Sequence, residues 1–162
     1  MNKPAPTAQE STSAHIGWEL TMRLPKSQDG DAHRLLQQFA AQEIEILAYR
    51  ASTSHDGTVL LLVTNNVDAA CAAVRDAGYK CDAKPVIWVS APCQVGLAAV
   101  LGQRLRAESV NLLYSYGSWD ASPRAVLVFK TTHDDVAFRI LNAALQDLAL
   151  TRRLDDRLAS AD

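Results

Sequence analysis

Pro85-Val86-Ile87-Trp88-Val89-Ser90-Ala91-Pro92-Cys93-Gln94-Val95-Gly96-Leu97 opens the stretch that decides the fold, which runs on to Tyr116. Val86 to Val89 reads as a buried strand, Ser90 to Gly96 as a short loop, Leu97 to Glu108 as an amphipathic helix, and Val110-Asn111-Leu112 as the opening of a second strand. Leu97, Val100, Leu101 and Leu105 recur near the helical period, with Val110 at the exit, and send one stripe into a core. A polar loop of ligand size therefore lies between a strand end and a helix start.

Working outward toward the N-terminus, the same order of elements returns. Trp18, Leu20, Met22 and Leu24 alternate on one face of a strand that Pro25 ends. A polar loop, Lys26 to Asp31, follows, and Asp31 is placed to cap a helix carrying Leu35, Leu36, Phe39 and Ala40. Ile44 to Ser52 and Thr58 to Thr64 read as a hairpin turned at His55-Asp56-Gly57. Asn65 or Asn66 caps a second helix, Val67 to Ala77, with Ala70, Cys71, Val74 and Ala77 inward and Gly78 as its stop. A strand from Tyr79 to Lys84 completes strand-helix-strand-strand-helix-strand, the split βαβ or ferredoxin-like unit.

Toward the C-terminus the unit repeats at an offset of roughly 65 residues. Leu35-Leu36 maps on Val100-Leu101, Leu60 to Val63 on Val126 to Phe129, Asp68 on Asp134 and Val74 on Ile140. In the second copy Tyr114-Ser115-Tyr116 ends a strand, Gly117 to Arg124 turns, Ala125 to Thr131 returns, and a helix starts at Asp134 or Asp135. Leu148 to Thr151 is expected as the eighth strand or as more helix. The expected architecture is α+β: a disordered tail over 1–17, two ferredoxin-like βαββαβ units over 18–84 and 85–151 divided near Pro85, antiparallel sheets with helices on one face, and a charged tail over 152–162.

With Ser109-Val110-Asn111-Leu112-Leu113-Tyr114-Ser115-Tyr116, the strand Ala125 to Phe129 and the helix around Ala137 to Leu141 in view, the chain resembles the ACT domain family in its tandem, stand-alone form. The resemblance covers about Trp18 to Leu150. It implies a small regulatory module that binds an amino acid between units, pairs as a homodimer and controls an enzyme of amino-acid metabolism. The family's loop pattern, Asp-x-Pro-Gly-x-Leu, is altered here. Gly30 falls at the glycine, but Ser27 stands for the Asp and Asp29 for the Pro. In the second copy Pro92 stands for the Asp, and Gly96 lies one position late.

The loops carry the chemistry that such a ligand requires. Backbone N–H groups of a helix first turn suit a carboxylate, and Gly30 and Gly96 let the backbone approach closely. Gln28, Asp29, Asp31, Gln94 and Asn111 are acceptors for an ammonium. Taken singly, each has a structural reading: Asp31 a helix cap, the glutamines solvated, the glycines turn formers. Taken together with the resemblance, the expected ligand-binding set is Ser27, Gln28, Asp29, Gly30, Cys93, Gln94, Val95 and Gly96, with Asn111 and Tyr114. Asn111 reads equally as a structural hydrogen-bonding residue. Tyr114 and Tyr116 share one strand face and line an interface or pack there; Cys93 is a ligand contact or a half-buried thiol; Cys71 is core.

Bulk properties narrow the classes further. The 162 residues, 48% hydrophobic, suffice for a full core, as one domain or two small ones. A formal charge of −2 lacks the basic excess that phosphate binding uses, and aliphatic Leu60, Leu62, Val126 and Val128 replace the aromatics of an RNA-reading sheet, so no nucleic-acid partner is expected. No apolar run reaches membrane-helix length and no leader pattern opens the chain, which reads as cytoplasmic. Three cysteines without CxxC spacing and four scattered histidines predict neither disulfide framework nor metal site, and no cofactor is expected. Catalytic motifs are missing from the sequence, so it is read as no enzyme. The competing reading is a ligand-free interaction or dimerisation module of the same fold.

Overall fold

The computed structural model describes residues 12–25, 30–119 and 124–159. Ten elements follow in order: β1 (Ser13–Leu24), α1 (Asp31–Ala41), β2 (Ile46–Ser54), β3 (Gly57–Thr64), α2 (Val67–Asp76), β4 (Cys81–Pro92), α3 (Leu97–Ala107), β5 (Leu112–Trp119), β6 (Arg124–Thr131) and α4 (Asp134–Ala159). They form two compact units. Unit 1 contains Gly17–Val86, and unit 2 contains Ile87–Asp162 together with Glu10–Ile16.

In unit 1 the strand order is β2-β3-β1-β4. β1 and β3 pair antiparallel with Leu20 opposite Leu62 and Met22 opposite Leu60, so one sheet face presents an unbroken aliphatic layer. Leu35 and Phe39 of α1 and Ala70, Cys71 and Val74 of α2 cover that layer. β2 and β3 form a hairpin closed at Ser54 and Gly57. A bulge between Ile46 and Ala48 interrupts the two-residue period of the strand and buries Leu47 and Ala48 in succession.

Unit 2 repeats the plan with the order β1-β4-β6-β5. Ile87 faces Phe129 and Val89 faces Leu127 across β4 and β6. Leu97, Leu101 and Leu105 of α3 and Ala137, Leu141 and Leu145 of α4 close over this face. Each fully buried leucine contributes about 1.5–3 kcal/mol relative to exposure. Both units are thus the expected ferredoxin-like βαββαβ form, antiparallel and covered by helices on one face.

The first strand of unit 2's sheet comes from the N-terminal side of the chain. Ser13–Gly17, which reads as tail, is the beginning of β1, and Ala14 is buried in the core of unit 2 beside Ile87, Val89 and Ala91. His15 stacks on Trp88 at 4.1 Å between centroids, and within unit 1 the Glu19 carboxylate meets Lys84 Nζ at 3.3 Å. As β1 advances four residues its neighbour on β4 retreats four, the mark of antiparallel pairing. The expected eighth strand over Leu148–Thr151 is replaced by helix: α4 continues to Ala159. Its place beside β4 is filled by Ser13–Ile16. No Gly or Pro follows Leu145 to stop the helix, and Leu148 packs on the core.

Pro85 is also not a break. β4 is one strand of 12 residues, and the units divide within it, between Val86 and Ile87. Pairing with β6 begins only at Ile87, so Pro85 sits where β4 is an edge, the position in a sheet that tolerates a missing N–H.

Side chains at the starts of α2 and α4 take different kinds of partner. Asn66, not Asn65, caps α2 by accepting from Ala69 N at 3.1 Å; the Asn65 side chain instead accepts from Glu45 N. At α4, Asp134 Oδ1 accepts from Thr131 N at 2.9 Å and Thr131 Oγ1 at 2.8 Å, and its other oxygen pairs with Lys130. Burial pushes the Asp134 carboxyl up, but Lys130 and Thr131 outweigh it and hold the group below its ordinary value.

Two outcomes follow from these contacts. Ala14→Asp places an unpaired carboxylate in the core of unit 2 and is expected to lower stability by roughly 2 kcal/mol or more, whereas Ile16→Asp, on a residue that is 61% exposed, changes it by less than about 0.5 kcal/mol. Equal, small effects in urea unfolding would return Ser13–Ile16 to the tail. A depressed carboxyl adds stability above its unfolded value, about 3.9, that is lost as pH falls through the folded value. Asp134→Asn is therefore expected to cost about 1 kcal/mol at neutral pH and progressively less in acid, and a pH series of urea midpoints checks it.

Candidate functional site

α1 and α3 begin alike, and unlike α2, whose Asn66 side chain caps the first turn. Their N-caps are Gly30, at φ 100° and ψ −8°, and Gly96, at φ 86° and ψ −4°, and among the described residues neither start has a side-chain cap. Left-handed backbone is where glycine is favoured, because a Cβ would crowd the following carbonyl. Gly30 O accepts from Arg34 N and Gly96 O from Val100 N, both at 2.9 Å, so each glycine already closes the first helical turn. The N–H groups of that turn point out of the helix with its partial positive charge and with no hydroxyl or carboxylate of the cap residue upon them.

Around α3 the loop is open to solvent. Cys93, Gln94, Val95 and Gly96 are all exposed, Val95 completely. Leu97 N donates to Gln94 O at 3.3 Å, which folds the loop into a turn. Cys93 is thus an exposed thiol rather than a half-buried one. Of the ligand-binding residues expected in unit 1 only Gly30 is described; Ser27, Gln28 and Asp29 lie outside the described residues.

Asp31 is not the cap of α1. It is the first helical residue, buried, with its carboxylate accepting from the Tyr79 hydroxyl and lying 3.9 Å from Arg34 Nη1. The hydrogen bond to Asp31 pushes the Tyr79 phenol above its ordinary range. This contact leaves Asp31 less free to receive a ligand ammonium and pins the start of α1 to the segment after α2.

Asn111 and Tyr114 are not brought to the loop of their own unit. β5 runs from Leu112, opposite Thr131, to Trp119, opposite Ala125, and Ala125 in turn faces Ala91 at the loop end of β4. Asn111 therefore lies roughly 20 Å from Gly96 along the strand direction. Asn111 is exposed, and its backbone O accepts from Thr132 N at 3.0 Å. Tyr114 and Tyr116 stack at 6.5 Å between centroids.

One cation near the loop was not legible as part of a site. Arg124 faces Pro92, and its Nη2 and Nε donate to Ser90 Oγ at 3.1 and 3.3 Å. Ser90 is buried on the face opposite the core. In the sequence Arg124 reads as the end of a turn; its proximity to Ser90 depends on the β4–β6 register. Among the described residues no group of three or more His, Cys, Asp or Glu is placed to hold a metal ion, and no helix is long and apolar enough to cross a membrane. The arrangement offers fixed donors to an anion at two helix starts.

No protein-family model matches the sequence, and no curated protein matches it. Solved structures do. The crystal structure of protein BT0572 from Bacteroides thetaiotaomicron is similar with a TM-score of 0.68 at 25% identity, over 79% of this chain and 88% of that one. Aspartokinase alpha and beta subunits match with a TM-score of 0.59 at 18% identity, over 83% of this chain and 98% of that one. The ligand-free regulatory subunit of aspartate kinase from Thermus thermophilus matches with 0.58 at 14%, over 82% and 97%. The chain has the fold of these structures, with two ferredoxin-like units in one polypeptide.

Proposed function

We propose that the chain is a non-catalytic regulatory module that binds a small amino acid and transmits its occupancy to an enzyme of amino-acid metabolism or its regulator. The observation that carries this reading is the matched pair of helix starts, Gly30 and Gly96, both left-handed glycines with no side chain to cap the first turn, unlike Asn66 at α2. A carboxylate there accepts from the first-turn N–H groups, and the likeness to regulatory subunits of aspartate kinase supports an amino acid as its bearer.

In this reading the carboxylate binds near Gly30 or near Val95 and Gly96, with Ser27, Gln28, Asp29, Cys93 and Gln94 around it. Asn111 and Tyr114, remote from the loop of their own unit, come from a second copy of the chain. The β5 edge supports such a homodimer: Leu112–Trp119 has no charged residue, and Leu112 and Leu113 are exposed. Charge is a usual protection of an edge strand. The same edge favours the second reading, a dimerisation module with no ligand.

A thermal-shift screen of the amino acids at millimolar concentration separates the two, because a ligand of the folded state raises Tm by mass action. At least one amino acid is expected to raise Tm. A dimer whose Tm ignores all of them would leave the interaction module. With the ligand identified, Asn111→Ala is expected to weaken binding about tenfold by removing one charge-assisted hydrogen bond. Unchanged affinity by calorimetry would confine Asn111 to a structural role. Gly96→Ala meets no neighbour within 4 Å, yet its φ is strained for alanine; a stability loss of about 1–2 kcal/mol is expected, with weakened binding.

A further inference from the structure

Two of the three cysteines, far enough apart in sequence to look unrelated, meet in unit 1. Cys71 lies on the inward face of α2, buried, and Cys81 is the first residue of β4, half-buried. Their sulfurs are 2.9 Å apart, one thiol donating to the other. Closing a disulfide requires an approach of roughly 1 Å more. We propose that Cys71 and Cys81 form a reversible intramolecular disulfide, a redox modification site that ties α2 to the start of β4.

What the bond encloses gives it a consequence. Gly78, at φ 86°, turns the chain between the two cysteines; Gly78 N donates to Arg75 O and Tyr79 N to Val74 O. Tyr79, on the same segment, holds the Asp31 carboxylate at the first turn of α1. The disulfide therefore fixes the segment that positions the start of α1, one of the two uncapped helix starts.

The oxidant is a low-molecular-weight disulfide of the glutathione class. The more exposed Cys81, as its thiolate, attacks one sulfur of that disulfide; the small S–S bond breaks, and the departing thiolate takes up the proton that Cys81 released. Cys71 then gives up its proton and attacks the Cys81 sulfur of the mixed disulfide. The Cys71–Cys81 bond forms, and the second small thiolate leaves and is protonated. Two protein thiols lose two electrons and two protons, and one small disulfide gains both. Burial, with Cys71 beside it, pushes the Cys81 thiol up to about 12; Asp82 adds to the rise and Arg75 opposes it. Thiolate is scarce at neutral pH, so the exchange is slow and is read at equilibrium.

The test uses the full chain with Cys93→Ser, equilibrated in mixtures of reduced and oxidised glutathione, quenched in acid, alkylated and analysed by intact mass and peptide mapping. The expected product has lost two hydrogens, resists alkylation at Cys71 and Cys81, returns to dithiol with dithiothreitol, and melts roughly 5 °C higher. Adding Cys71→Ser is expected to leave glutathione bound to Cys81. Full alkylation of both cysteines after equilibration of the folded Cys93→Ser protein in the most oxidising mixture would overturn the proposal. A glutathione adduct persisting on Cys81 beside a free Cys71 would do the same. Both decisive results come from the protein with the pair intact, so a misfolded variant does not obscure them.

Discussion

The pairing of β1 with β4 is the constraint on which both units depend. Each strand is 12 residues long, enough for one half to serve each unit. Leu20, Met22 and Leu24 complete the core of unit 1, while Ala14 on the same strand lies in the core of unit 2. β4 reverses the assignment, with Cys81 against the first core and Ile87, Val89 and Ala91 in the second. Because side chains alternate strictly along a strand, a slip of one residue in either would misplace both sets. Glu19 adds to that register. Its side chain is fully buried with Lys84 opposite it, and a shift would leave a carboxylate in the interior without its cation.

Given that frame, each unit presents one helix directly after a strand common to both, α1 after β1 and α3 after β4. Those two helices start at glycine, whereas α2 starts at Asn66, whose side chain occupies the Ala69 N–H of its own first turn. A helix N-terminus costs stability when its donors are left to water, and a cap is worth about 1 kcal/mol. Gly30 and Gly96 hold equivalent places in the two units and have no side chain to take such donors, although Leu97 N at α3 is bonded to Gln94 O. The local order around them is also asymmetric. Asp31 is tied to Tyr79, whereas the loop before α3 is open and exposed throughout.

Much of this architecture was legible from hydrophobic rhythm. Leu20-Met22-Leu24, Leu60 to Val63 and Val126 to Phe129 declare their strands, the Asp56-Gly57 turn declares a hairpin, and the repeat offset declares two units. What failed did so for physical reasons. Ser13–Ile16 contributes one small apolar side chain, Ala14, to a core, too weak a signal to separate a strand from a polar tail. The helix over Leu148–Thr151 was ambiguous because Leu and Ala suit a helix, while the repeat demanded a strand whose place was already filled. Register hid the rest. Asp31 and Tyr79 are 48 positions apart, and Ser90 and Arg124 are 34 apart; no local pattern brings such pairs together. The glycines Gly30 and Gly96 were legible as helix starts, but that their helices lack a side-chain cap required the geometry.

The shared first strand is most directly tested by native-state hydrogen exchange at the amides of residues 13–16. In unit 2 this segment is an edge, bonded to β4 on one side, so alternate amides are expected to be protected to the level of β6 and the others to exchange freely. Protection of that alternating kind, lost together with the amides of Leu127 and Phe129 when unit 2 is destabilised, is the result the account predicts. Uniform exchange of all four amides at the rate of an unstructured peptide, while β6 stays protected, would contradict it.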